Sequence, residues 1–173
     1  MPATYDSIAS QTLSSAANSV TFSNISQTYT DLKLVLTNAK ATNTARNVLI
    51  RVGNGSVDTA SNYSHTNLGA RSLSATPFSQ RESSQTSGKL SWYTAMTTAQ
   101  AQMSIVDIMN YSNTTTNKTI LVRHNQPQSS LMETAAQVGL WRSTNAITSI
   151  TFSLSSGNYS SGSTFTLYGI KAA

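Results

Sequence analysis

Hydrophobic residues along this chain recur mostly at every second position, the signature of strands with one buried face. Val20-Thr21-Phe22 opens the first such segment, which ends near Ile25. Leu32-Lys33-Leu34-Val35-Leu36 sets three leucines on one face and Lys33 and Val35 on the other. Val48, Ile50 and Val52 share a face in the next segment, and Gly53-Asn54-Gly55 closes it with a strong turn signal. Met103 to Met109 alternates, as does Thr119 to Arg123, and the polar run Asn113 to Asn117 between them predicts a hairpin. Val138 to Arg142 is a further strand. The last two segments also read as a hairpin. Ile150, Phe152 and Leu154 share a face, Ser156 to Gly162 supplies the turn, and Ser163 to Ile170 returns. In that final strand Phe165 and Leu167 face one way, Tyr168 and Ile170 the other. Two readings fit: a central strand buried on both faces, or a strand whose Tyr168 and Ile170 meet another subunit.

Residues 57–94 are less regular. Tyr63, Leu68, Leu73, Phe78, Leu90, Trp92 and Tyr93 stand among polar residues, and Pro77 interrupts. Short strands joined by long loops are expected there, and a single helical turn at Thr94 to Ala101. Several strands separated by turn signals predict an all-β fold, a two-sheet antiparallel β-sandwich of jelly-roll-like form. The whole chain, residues 1–173, reads as one domain, with residues 1–13 a candidate N-terminal arm.

Composition strengthens the β assignment. Only 10% of residues are charged, while Ser, Thr, Asn and Gln make up close to half the chain. Helices cover their solvent faces with Glu, Lys and Arg. Ser, Thr and Asn compete for helical backbone groups and suit strands and turns. The formal charge of +5 comes from six acids rather than from an excess of bases. The eleven Lys and Arg residues run from Lys33 to Lys171 with no two adjacent, so no nucleic-acid stripe is evident and no specific nucleic-acid partner is expected. There is no cysteine. The first residues lack the pattern of a signal peptide, and no apolar run reaches the roughly 20 residues that span a bilayer. No membrane partner is expected.

Little catalytic chemistry is visible. Asp6, Asp31, Asp58, Glu82, Asp107 and Glu133 are widely spaced, so no carboxylate pair stands out. Asp107, between Val106 and Ile108, is expected to pair with a nearby Arg. His65 and His124 lack metal-ligand spacing and read as solvated loop histidines. No Gly-x-Ser-x-Gly elbow and no phosphate loop occurs. A protein that is not an enzyme, without cofactor or metal, is expected. Trp92, Tyr93, Tyr111, Trp141 and Tyr159 are candidates for stacking sugar rings. Tyr159, in the final loop, is the best candidate for an exposed contact, and with Tyr168 and Ile170 it completes the candidate interface.

Two stretches carry a resemblance. Tyr5-Asp6-Ser7-Ile8-Ala9-Ser10-Gln11-Thr12-Leu13, Ser19 to Ile25 and Tyr29-Thr30-Asp31-Leu32 stand near the start, and Gly162-Ser163-Thr164-Phe165-Thr166-Leu167-Tyr168-Gly169-Ile170-Lys171 near the end. Over about a third of the chain these resemble small virion structural proteins of tailed phages, notably those infecting cyanobacteria and other aquatic bacteria. The resemblance implies a β-sandwich or jelly-roll protein, usually a homotrimer. It implies a capsid decoration (cement) protein bound to the major capsid protein lattice, made in the host cytoplasm and carried on the outer capsid surface. The alternative is a tail fibre, baseplate or receptor-binding module that contacts host glycans. No catalytic residues carry over.

Overall fold

A computed structural model describes residues 4–43, 47–91, 96–128 and 131–171. Among them are twelve strands and no helix: β1 (Tyr5–Thr12), β2 (Ser19–Phe22), β3 (Asp31–Ala39), β4 (Val48–Gly53), β5 (Tyr63–Arg71), β6 (Ser74–Gln85), β7 (Gly88–Lys89), β8 (Gln102–Ile108), β9 (Lys118–Gln126), β10 (Glu133–Trp141), β11 (Ser149–Leu154) and β12 (Thr164–Ile170). They form an eight-stranded sheet, β1-β12-β3-β8-β9-β10-β5-β6, and a four-stranded sheet, β2-β11-β4-β7. All ladders are antiparallel. The protein is a two-sheet antiparallel β-sandwich.

The core follows the alternation. Leu32, Leu34 and Leu36 of β3, Val106 and Ile108 of β8, Ile120 and Val122 of β9, and Phe165 and Leu167 of β12 point inward from the large sheet. They share one buried cluster with Val20, Phe22, Val48, Ile50, Val52, Ile150, Phe152 and Leu154 from the small sheet. Strand β9 shows the pattern in full: every second residue from Lys118 to Gln126 is buried and those between are exposed.

Three expectations are corrected. The last two strands are not a hairpin. β11 belongs to the small sheet and β12 to the large one, so residues 155–163 cross between layers. Nine residues can span roughly 30 Å, ample for sheets about 10 Å apart, and turn-forming residues do not distinguish a hairpin from such a crossing. Residues 5–12, within the candidate arm, are a paired edge strand: β1 runs from Tyr5, opposite Ile170, to Thr12, opposite Thr164. Residues 63–85 are not short strands in long loops. β5 and β6 are nine and twelve residues long and meet at a tight turn through Ser72 and Leu73. The hairpin expected between β8 and β9 is present. The turn expected at 94–101 falls partly outside the described residues, and residues 97–100 are not helical.

Strand pairing is nested. β3 pairs with β12 in the large sheet, β4 with β11 in the small one, and β5 with β10 back in the large one. The chain thus enters and leaves the sandwich as successive antiparallel couples that alternate between layers.

Candidate interaction surface

The two faces of the eight-stranded sheet differ in character. The inner face is apolar on β12 and β3 and turns polar along part of β8, β9, β10 and β5. Successive inward positions there are Gln102 and Ser104 on β8, His124 and Gln126 on β9, Glu133 and Gln137 on β10, and His65 and Asn67 on β5, all buried. β7, the last strand of the small sheet, reaches over β5 and β10, and Gln137 donates its amide to the Lys89 carbonyl.

Both histidines belong to this layer, which corrects the expectation of solvated loops. His124 Nε2 lies 3.1 Å from Glu133 Oε1, both fully enclosed between adjacent strands. His65 Nε2 lies 3.4 Å from Glu82 Oε2, and Lys89 Nζ binds the other oxygen of Glu82 at 2.7 Å. Strand alternation puts both rings on the inner face. Their polarity masked that signal, because inward strand positions are expected to be apolar. Asn67 is buried, and neither end of its amide meets a protein partner among the described residues. Such groups are uncommon in folded interiors.

Burial holds His65 below its ordinary pKa, against the attraction of Glu82 and with repulsion from Lys89. The unfolded chain therefore binds a proton near pH 6.5 that the folded chain refuses until lower pH. Stability contributed by neutral His65 is complete above pH 6.5 and is lost as pH falls below it. Thermal melts from pH 7.5 to 5 are expected to show a falling Tm. His65→Gln, which cannot take up that proton, is expected to flatten the fall; an unchanged slope in the variant would contradict this assignment.

The remaining acids are also engaged locally. Asp107 meets Lys33 at hydrogen-bond range and Arg123 at 3.8 Å, so its expected arginine is present but secondary to a lysine. Asp6 pairs with Lys171 at 2.6 Å, and Asp31 accepts the Asn110 N–H at 2.6 Å. Asp58 organises a loop: it accepts from the Ala60 N–H, the Asn62 amide and the Trp141 indole N–H, each at 2.8 Å. Burial pushes its carboxyl up, but these bonds outweigh burial and hold it below the usual range.

The aromatic candidates are mostly interior. Tyr159 is 0% exposed, which overturns its reading as an exposed contact. Its ring packs edge-on against Phe165 at 5.0 Å and its hydroxyl donates to the Ser153 carbonyl at 3.2 Å. Its backbone bridges Ala17 and Ala41, so the crossing segment is pinned through the sandwich at this residue. Tyr111 and Trp141 are buried too. Trp92 and Tyr93 lie outside the described residues.

Tyr168 and Ile170 are on the outer face of the large sheet and half-buried. Tyr168 stands between Ser7 and Lys33, and Ile170 between Tyr5 and Asp31. Tyr5 is 53% exposed, so Tyr5, Tyr168 and Ile170 make an apolar corner open to solvent. Beside it Ser10 meets Thr166 at 3.0 Å and Thr12 meets Thr164 at 2.9 Å, a hydroxyl ladder. Between Tyr168 and Ile170, Gly169 faces inward beneath the Tyr29 ring, which occupies the place a side chain would need.

No family model matches the chain, and no curated protein matches it. Among solved structures it is similar to the alginate lyase Aly36B, at TM-score 0.38 and 10% identity over 93% of this chain and 77% of that one. A mutant of that lyase in complex with alginate tetrasaccharide gives TM-score 0.34 at 10% identity over 90% of this chain and 81% of that one. These neighbours are enzymes, which corrects the expectation that this chain is not one. Overlap this slight assigns neither an activity nor a substrate to the chain.

Proposed function

We propose that this chain is a structural protein of a phage particle, a capsid decoration protein that assembles as a homotrimer and binds the lattice of the major capsid protein. The observation that carries the reading is the outer corner of the large sheet, where the half-buried Tyr168 and Ile170 lie beside the exposed Tyr5. The occupant proposed for that corner is a second copy of the chain. The two strands that form it, β1 and β12, are among the segments that resemble tailed-phage virion proteins. The nested couples of strands support the jelly-roll form of the sandwich. A surface rich in Ser and Thr hydroxyls supports close packing against a lattice, because few ions need be stripped of water. Threefold repetition of a modest contact then supplies avidity.

The test has two parts. Sedimentation of the purified chain is expected to give a trimer. Tyr168→Asp with Ile170→Asp is expected to weaken the assembly by about 100-fold or more, since each buries an unpaired charge, while the circular dichroism of the strands persists. A wild-type monomer at micromolar concentration would refute the assembly. Cryo-electron microscopy of intact particles is expected to show the chain on the outer capsid lattice. Density confined to the tail would refute the decoration role and favour the receptor-binding alternative.

A further inference from the structure

At the far end of the same sheet, five strand spacings or roughly 24 Å from β12, the outer face of β10, β5 and β6 forms an open groove of about 510 Å³. Its walls combine three kinds of group. Val138 and Leu140 supply an apolar side on β10, Ser64, Thr66 and Ser83 supply hydroxyls, and Arg81 supplies a guanidinium. The cross-strand register sets Val138, Thr66 and Arg81 in one row and Leu140 and Ser64 in the next.

The charge of Arg81 in this groove has no ion-pair partner among the described residues. Arg81 is exposed and makes no ion pair or hydrogen bond among the described residues. Its neighbour Glu82 points through to the opposite face, where Lys89 and His65 hold it. A second guanidinium, that of Arg142, stands at the groove's end. It donates to the Ser64 hydroxyl and, at 2.8 Å, to the Ser61 carbonyl, and has no carboxylate partner among the described residues. Arg81 within the groove and Arg142 beside it therefore flank a row of hydroxyls and an apolar wall, and Glu82, the acid among the lining residues, is engaged by Lys89 and His65.

We infer that this groove binds an anionic glycan, a sugar chain bearing carboxylate or sulfate groups. The guanidinium forks match planar or tetrahedral oxyanions, the Ser and Thr hydroxyls match sugar hydroxyls, and Val138 and Leu140 match the apolar edge of a pyranose ring. The shallow open form suits a stretch of chain rather than a small enclosed ligand. This site is independent of the assembly corner, so failure of either leaves the other standing.

The full-length chain is titrated by calorimetry with an oligogalacturonate, a sulfated oligosaccharide, neutral maltotetraose and a short single-stranded DNA. The oligogalacturonate or the sulfated sugar is expected to bind, more weakly as salt is raised, with maltotetraose silent; whichever binds tighter identifies the anion. Arg81→Ala is expected to weaken that binding about tenfold with an unchanged Tm, since the side chain bonds nothing in the fold. Arg81→Lys, which keeps the charge but loses the fork, is expected to fall between. Thr66→Val tests the hydroxyl row and is expected to lose a few-fold. The inference is overturned if no anionic sugar binds, if maltotetraose binds as well, if Arg81→Ala binds like the wild type, or if the DNA binds tighter than both sugars.

Discussion

Tyr159→Ala is expected to destabilise the protein by about 3–5 kcal/mol, the range for removing a large aromatic from a packed core. The same change at a surface loop would cost under about 0.5 kcal/mol. Three consequences of removing the side chain act together. The ring leaves a cavity against Phe165; the Ser153 carbonyl is deprived of its hydroxyl donor; and the backbone bridges to Ala17 and Ala41 lose the side chain that anchors them. At this chain length each kcal/mol moves Tm by roughly 2–4 °C, so a fall of about 10 °C is expected in a thermal melt. Tyr159→Phe keeps the ring and is expected to cost only about 1 kcal/mol, the hydrogen bond alone. A Tm within about 1–2 °C of wild type for the alanine variant, well short of that fall, would show that Tyr159 is not a core residue.

The second large effect is expected at Gly53. A Cβ there would overlap the Ser56 carbonyl and come within 2.8 Å of the Val57 Cα. Both obstacles are backbone, so no side-chain rotation relieves them. The loop they belong to is held by its own bonds. The Asp58 N–H donates to the Val52 carbonyl at 2.9 Å, and the buried Tyr63 hydroxyl bonds the backbone of Val52 and Asp58 at 3.0 Å. Burial, the strongest influence on Tyr63, pushes its phenol up to about 12, so it remains a donor at any working pH. Gly53→Ala must displace this loop from the end of β4, and a loss of about 3 kcal/mol is expected, the upper part of the range for overpacking. Gly55→Ala provides the contrast. Its surroundings are open, but φ is 74°, so only backbone strain, about 1 kcal/mol, is expected. Urea unfolding of the two variants side by side measures the difference; equal midpoints would refute the close approach at Gly53.

Alternation along the chain determined which residues face the core wherever the inward side chains are apolar. Leu32, Leu34 and Leu36, Val48, Ile50 and Val52, and Phe165 and Leu167 were all legible, because burying every second residue is the one way a strand can hide them from water. The same logic left the outward positions of Tyr168 and Ile170 readable as a face. It failed in β5 and β6, where the inward positions include His65, Asn67 and Glu82 among the apolar Tyr63 and Phe78. Polar residues on an inner face look like a loop until cross-strand partners are seen to bond them, as His65 and Lys89 do Glu82.

Tertiary structure decided the rest. Whether Ser156 to Gly162 folds back or crosses over depends on which neighbouring strands offer free edges, and β3 and β4, over a hundred residues earlier, settle it. The same crossing draws Tyr159 from an expected surface loop into the core. The groove at Arg81 arises because registry sets Thr66 and Val138 beside it while Glu82 turns away. Local sequence fixes the direction of a side chain relative to its own strand through the twofold pleat; its partners come from pairing between strands far apart in the chain, and no local period encodes that pairing.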